Sequence, residues 1–328
     1  MKKDFHYSVI KILSIKAGFS EADSQLIAYA SQYVDDATTH RPVRVTNIPD
    51  AIKEHPRYNK KTREFDPICT AHKHFGFIFG LFKKIQLKIY VPFHFIPQES
   101  FSKISTVKHK HYITKKNSIL VNVLMKDAVN KIKNASNSKR TQKLIKLGLV
   151  LHSYADTWSH QGFSGIHSPF NDICNLKLKK NGKWNSINYG YRPDIGHAEA
   201  DDYPDIANLK WEYQYDETNN VTNADTKRNN AVIFLEASKY IFQYLCSANN
   251  SSEEIWNDFK DDLADCLSAS TNDDDGKLKR NIFGKKFPTI KLFYNENTWK
   301  NDAMNERNYN WFYFHIEAYK QRLYITNM

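Results

Sequence analysis

"LHSYADTWSHQGFSG", residues 151–165, closes the most strongly helical segment of the chain and sets how the rest is read. Leu149, Val150, Leu151, Tyr154, Ala155 and Trp158 recur at helical spacing and predict a face turned toward a core. His152, Asp156 and His160 interrupt that face at four-residue intervals. Each such step advances about 40° around a helix, so the three form one slightly slanted row. A solvated face would carry lysine and glutamate there. Imidazole nitrogen and carboxylate oxygen are instead the donors that zinc takes, at about 2.0–2.2 Å. The alternative for this triplet alone is structural: half-buried polar groups satisfied by hydrogen bonds.

Working outward, that helix is expected over residues 139–161, with another over 116–135 before it. Helices are also expected over 5–17, 229–247, 252–268 and 300–323. One over 20–37 opens on Ser20 and Asp23 as a capping box. Residues 41–71 contain Pro42, Pro49, Pro56 and Pro67 and read as an irregular excursion, a type of segment that is often functional. "HFGFIFGLFKKIQLKIYVPFHFIP" (74–97) reads as a helix followed by a loop, and "TNDDDGKLKR" (271–280) as a loop. Residues 162–228 are loop-rich, with a small β-ribbon in "LKLKKNGKWNSINY" (176–189) turned at Asn181-Gly182. The expected fold is mostly α: a multi-helical bundle with a metal cleft and long irregular loops. It forms one domain over 1–328, with a loop-rich insertion at 162–228.

Bulk properties agree with a folded chain. The 328 residues are 41% hydrophobic and 14% aromatic, which excludes a disordered composition. Only 11 glycines and 10 prolines favour long helices over many short strands. The formal charge of +11 describes either a lysine-rich solvated surface or attraction to a polyanion. Nucleic acid and an anionic membrane surface both qualify as that polyanion. The basic runs at 109–116, 131–140 and 277–286 match no recognised nucleic-acid module. Cys69, Cys174, Cys246 and Cys266 form no CxxC pair and are expected to be free buried thiols. Asp4, His6 and Lys11 break any secretory signal, and no window is apolar enough to span a membrane. The expected location is cytoplasmic, or outside the cell by a signal-less route.

Other histidines cluster with acids or each other. "PDIGHAEADDYPD" (193–205) holds His197 and Asp201, with Glu199 and Asp205 as competitors. "SQYVDDATTH" (31–40) holds Asp35, Asp36 and His40; "CTAHKHF" (69–75) holds His72 and His74; "KDFHYS" (3–8) holds Asp4 and His6. His55 and His315 stand alone and read as structural, as does His94. Trp158, Tyr154 and Phe163 read as packing residues.

"LGLVLHSYADTWSHQGFSG" (147–165) resembles the core helix of the zinc-dependent phospholipase C and single-strand nuclease superfamily. That signature is H-x-x-x-D on a helix, a further histidine, and a later H-x-x-x-E/D. "FHYSVIKILSIKAGF", "ASQYVDDAT" and "DTWSHQGFSG" also resemble an uncharacterised bacterial family. The superfamily resemblance implies an all-helical cleft holding two to three Zn²⁺ ions. It implies one ion on His152, Asp156, His72 and Asp36 (Asp35 second), and another on His160, His197 and Asp201. A third would use His6 and Asp4 with Asp156 as a bridge, and His167 is the second choice for the role of His160. Whichever of Asp35 and Asp36 does not ligate would orient the attacking water.

The implied activity is hydrolysis of a phosphodiester, either phospholipid or nucleic acid, with peripheral contact to an anionic membrane. A single-strand nuclease and a catalytically degenerate binding module are the alternatives. The chain offers no Ser-His-Asp nucleophile elbow, no P-loop and no adjacent His-Asp dipeptide of the HD phosphohydrolases.

Overall fold

The computed structural model describes residues 1–46, 48–71, 81–101, 106–190, 192–215, 226–270 and 277–328. The protein is mostly α-helical with two small antiparallel sheets. Its longer helices are α1 (Ile10–Lys16), α2 (Glu21–Asp36), α3 (Ile119–Lys133), α4 (Asn137–Ser159) and α5 (Asn230–Asn249). They continue as α6 (Trp256–Ser268), α7 (Lys277–Lys286), α8 (Thr298–Met304) and α9 (Asn310–Thr326). A π-helical turn, Asp4–Val9, leads into α1. No helix among the described residues is long and apolar enough to cross a membrane.

The centre of the bundle is α4, packed by α2, α3, α5 and α9. Its C-terminal half, from Leu147 to Ser159, is buried throughout, so the polar row predicted there lies inside the protein. Gly148 permits the closest crossing. A Cβ at that position would lie 2.2 Å from the Ile27 carbonyl oxygen of α2 and 2.7 Å from the Ala30 Cβ. Ser20 caps α2 through the Asp23 N–H at 3.1 Å. The reciprocal half of the capping box is replaced: the Asp23 carboxylate takes the Arg140 guanidinium at 2.7 Å, joining the starts of α2 and α4. Tyr154, Trp158 and Phe163 are fully buried.

Several expectations change. The excursion at 41–71 contains a three-stranded sheet, with β1 (Val43–Arg44) and β2 (Tyr58–Asn59) flanking β3 (Glu64–Phe65). Three two-residue strands are too short for an alternating pattern to show in sequence. Within "TNDDDGKLKR", residues 277–280 start α7, and 271–276 lie outside the described residues. The single helix expected at 300–323 is two, α8 and α9, separated by a turn in which Glu306 adopts φ 60°. Cys174 is exposed; the other three cysteines are buried as free thiols.

Among the described residues of 162–228, a four-stranded sheet stands between the loops. The predicted ribbon forms β4 (Ile173–Lys180) and β5 (Lys183–Ser186), with Asn181 at φ 50° and Gly182 at φ 77° in the turn. Those paired positive angles suit an Asn-Gly hairpin. Two further strands, β6 (Lys210–Tyr215) and β7 (Lys227–Asn229), extend the sheet in the order β5-β4-β6-β7. Arg228 of β7 ties this sheet to the bundle. Its buried guanidinium donates to the Trp158 and Ser159 carbonyls, 3.0 and 2.9 Å, at the C-terminus of α4. A cation there also complements the helix dipole.

A strap at residues 68–70 links the first sheet to the bundle. His315 of α9 accepts the Ile68 N–H at 3.1 Å, and Arg322 donates to the Cys69 carbonyl at 2.6 Å. Thr70 donates to the Val34 carbonyl at 2.6 Å. Burial lowers the His315 pKa to about 3. The unfolded ring, near pKa 6.5, therefore takes up a proton that the folded ring refuses. Stability from the neutral ring is complete above that unfolded value and is lost as pH falls from it toward the folded one. Denaturant titrations at pH 7.5 and pH 5 should show a loss of roughly 1 kcal/mol per pH unit from this group. His315→Gln should flatten the slope by about one proton. An unchanged slope in the variant would place the acid sensitivity elsewhere.

Candidate metal centre

Five imidazoles and three carboxylates converge at the C-terminal ends of α2 and α4. Asp156 lies in the middle, 1% exposed. Its Oδ2 faces His94 Nδ1 at 3.1 Å and His152 Nε2 at 3.2 Å. Its Oδ1 accepts from the Met1 ammonium at 2.7 Å and meets His6 Nε2 at 3.0 Å. Asp35, at the end of α2, lies 3.7 Å from His152 Nε2 and 3.9 Å from His94 Nδ1. On the other side, Asp205 meets His160 Nε2 at 2.9 Å through one oxygen and His197 Nε2 at 3.3 Å through the other. The Met1 ammonium bridges the halves, also lying 2.8 Å from Asp205 Oδ1. Three sets of potential ligand atoms lie within 4.8 Å of one another: His6, His152 and Asp156; Asp35, His94 and His152; His160, His197 and Asp205.

Four of the histidines are anchored alike. His152 Nδ1 donates to the Ser31 carbonyl at 2.9 Å, and His94 Nε2 to the Thr70 carbonyl at 2.9 Å. His160 Nδ1 donates to the His94 carbonyl at 2.9 Å, and His197 Nδ1 to the Asp201 carbonyl at 2.7 Å. A carbonyl only accepts, so each of these nitrogens carries a ring hydrogen, and the opposite nitrogen, the one a neutral ring can offer to a metal, faces inward. This is how metal-binding histidines are held. His94 Nδ1 and His152 Nε2 face each other at 3.2 Å. At that distance the two nitrogens can share a proton or a bound cation. His6 is fully buried, stacks on His152 at 3.8 Å, and its Nδ1 has no partner among the described residues. The donor set fits a metal ion: imidazole nitrogens and carboxylate oxygens, the ligands of zinc.

Local fields agree. Burial alone would raise Asp156 and Asp205, but the Met1 ammonium and the surrounding histidines hold both well below the usual carboxylate range. Burial alone would lower His94, yet Asp156 and Asp35 push it up; His197 is likewise raised by Asp205 against burial. Burial prevails at His160 and His6, both lowered. Burial also raises the Asp35 carboxyl, opposed by His152 and His94.

Long-range bonds position the loops. Asn230, at the start of α5, donates to the Tyr203 and Ile206 carbonyls at 2.6 and 2.8 Å, clamping the turn that carries Asp205. Phe95 stacks on His160 at 4.5 Å. Its ring needs Gly196, at φ 56°, where a Cβ would come within 2.6 Å of Phe95 Cζ.

Of the predicted residues, His6, Asp35, His152, Asp156, His160 and His197 come together. The preference for Asp36 over Asp35 is corrected. Adjacent helical residues point about 100° apart. Asp36 turns away to accept from Tyr294 at 2.6 Å and Gln32 at 3.1 Å. Asp201 is also corrected: it contributes its carbonyl to His197, and Asp205, named only as a competitor, supplies the carboxylate. Asp4 accepts its neighbour's Phe5 N–H at 3.0 Å and faces Lys279, outside the cluster. His167 is exposed. His72 and His74 lie outside the described residues. His94 was read as structural and is central. Its signal was an ionisable group alone in the apolar run "IYVPFHFIP" (89–97).

No curated protein and no solved structure matches the chain. A family match covers all of it, residues 1–328. The chain belongs to the family described as "Family of unknown function (DUF6765)".

Proposed function

We propose that the protein is a zinc-dependent phosphodiester hydrolase of the phospholipase C type. The observation that carries this reading is the set of four histidines, each anchored by a backbone carbonyl through one ring nitrogen and each turning the other toward shared carboxylates. Asp35, His94 and His152 would hold one ion, and His160, His197 and Asp205 a second. His6 and Asp156 would offer a further position beside His152, whose one inward nitrogen serves a single ion. Zinc supplies a water of near-neutral pKa and charge stabilisation for the leaving oxygen.

The protein residues do the rest. Asp156 spans the sites with its two oxygens and holds the imidazoles at fixed separation. Asp35 is the carboxylate of the cluster most open to solvent, 30% exposed against 14% for Asp205 and 1% for Asp156. Its Oδ1 is the oxygen near His94 and His152, so with Asp36 turned away the second oxygen of Asp35 is the one placed to take a proton from a water entering there. Phe95 covers the His160 ring and keeps bulk water off that side.

Protein purified without a histidine tag should contain about two to three equivalents of zinc by elemental analysis. It should hydrolyse bis(4-nitrophenyl) phosphate. Phosphatidylcholine and single-stranded DNA, assayed side by side, separate a phospholipase from a nuclease built on the same residues. Metal-free protein whose stability is indifferent to chelator would overturn the reading in favour of a binding module.

A further inference from the structure

The hairpin of β4 and β5 concentrates positive charge without acids to balance it. Residues 173–193 hold four lysines, Lys177, Lys179, Lys180 and Lys183, and no aspartate or glutamate. Lys177 reaches Glu212 of β6 at 3.2 Å. The other three have no carboxylate partner among the described residues. Lys180 and Lys183 face each other across the strands beside the turn, and both are exposed. Like charges directly opposite in a ladder repel and weaken it. The pairing of β4 with β6 ends at Leu178 and Trp211, whereas its pairing with β5 continues to Lys180. The basic tip therefore projects beyond the third strand.

Trp184 supplies the second observation. It lies on the edge strand opposite Lys179 and is 43% exposed. The Lys179 ammonium sits 5.7 Å from the centre of its ring. Lysines on an edge strand ordinarily keep it from pairing with another chain. A large exposed indole on that same strand works against such protection, so edge protection does not account for the tip. An indole beside lysines suits a membrane surface instead. Its ring settles at the level of the lipid headgroups, while long lysine stems let the ammonium groups reach the phosphates.

We propose that the β4–β5 hairpin docks the protein on an anionic lipid bilayer. Trp184 would enter the headgroup layer, and Lys179, Lys180 and Lys183 would meet its negative charges. Single-stranded nucleic acid fits this tip less well. It calls for a basic groove with rings for successive bases. These two strands form a projection and carry one aromatic residue. On the other face of β4, Leu176 and Leu178 pack in one cluster with Phe95, which stacks on His160. Docking would therefore hold the metal centre at the bilayer, but it does not rest on the hydrolase reading.

Co-sedimentation of the full chain with vesicles tests the proposal. Vesicles of phosphatidylserine and phosphatidylcholine, at about 3:7, should be bound at least about 10-fold more tightly than vesicles of phosphatidylcholine alone. Raising salt from about 0.1 M to about 0.5 M should remove most of that difference. Each lysine near such a surface is worth about 5-fold in affinity. Lys180→Gln combined with Lys183→Gln should thus weaken binding at least about 10-fold, and Trp184→Ser about 5-fold or more. All three side chains are exposed, so these variants should keep the parent's circular dichroism, metal content and turnover of bis(4-nitrophenyl) phosphate. Equal binding to the two kinds of vesicle, or affinity unchanged in both variants, would overturn the docking role and leave the hydrolase reading untouched. Single-stranded DNA bound more tightly than the vesicles, and lost in the same variants, would reassign the hairpin to nucleic acid.

Discussion

Asp156→Asn should empty the proposed metal centre while leaving the helical bundle folded. Both Asp156 oxygens are used: one by the Met1 ammonium and His6, the other facing His94 and His152. The amide keeps the size but removes the negative charge. Its NH₂ can donate to the inward lone pairs of His94 and His152, satisfying them without a metal. Changes one shell further out already lower metal affinity by roughly 10–100-fold. Losing a carboxylate that touches two of the three ligand sets should cost at least about 100-fold, and hydrolysis should fall in step. Elemental analysis, bis(4-nitrophenyl) phosphate turnover and circular dichroism on the same preparation decide it. Undiminished zinc and turnover in the variant would sink the proposed centre.

Gly148→Ala should be the most damaging small substitution in the bundle. The added methyl would sit 2.2 Å from the Ile27 carbonyl oxygen, and backbone cannot swing aside as a flexible side chain can. Helices α2 and α4 would have to separate along their whole contact. Overpacking of this type costs about 3 kcal/mol or more, a fall in thermal midpoint of roughly 5 °C or more. The damage should reach the metal centre, because Asp35 rides on α2 and His152 and Asp156 ride on α4. Zinc content should therefore drop with the α2–α4 contact itself, which Asp156→Asn leaves untouched. A variant with an unaltered midpoint would mean that the two helices cross farther apart than described.

Local chemistry made part of this legible. Leu144, Leu151 and Trp158 recur at helical spacing, and burial is what that spacing encodes, so α4 could be read directly. Asn181-Gly182 announced its hairpin because only such residues tolerate the left-handed angles of the turn. Strands β6 and β7 were not legible. β6 gains its partner from β4, across the chain, and β7 pairs with β6 with no two-residue turn between them to mark a ribbon.

The amino-acid sequence by itself determined the mostly helical fold and the row of His152, Asp156 and His160, since both depend on spacing along one helix. Tertiary structure alone decided which other groups join that row. Asp35 rather than Asp36 faces it because one helical residue turns the side chain through about 100°. Asp205 rather than Asp201 reaches it because Asn230, in another helix, clamps the turn. His94 enters because the strap at Thr70 takes its Nε2 hydrogen and leaves Nδ1 facing Asp156. Each of those choices is made by a bond between distant residues, which spacing along the chain does not record.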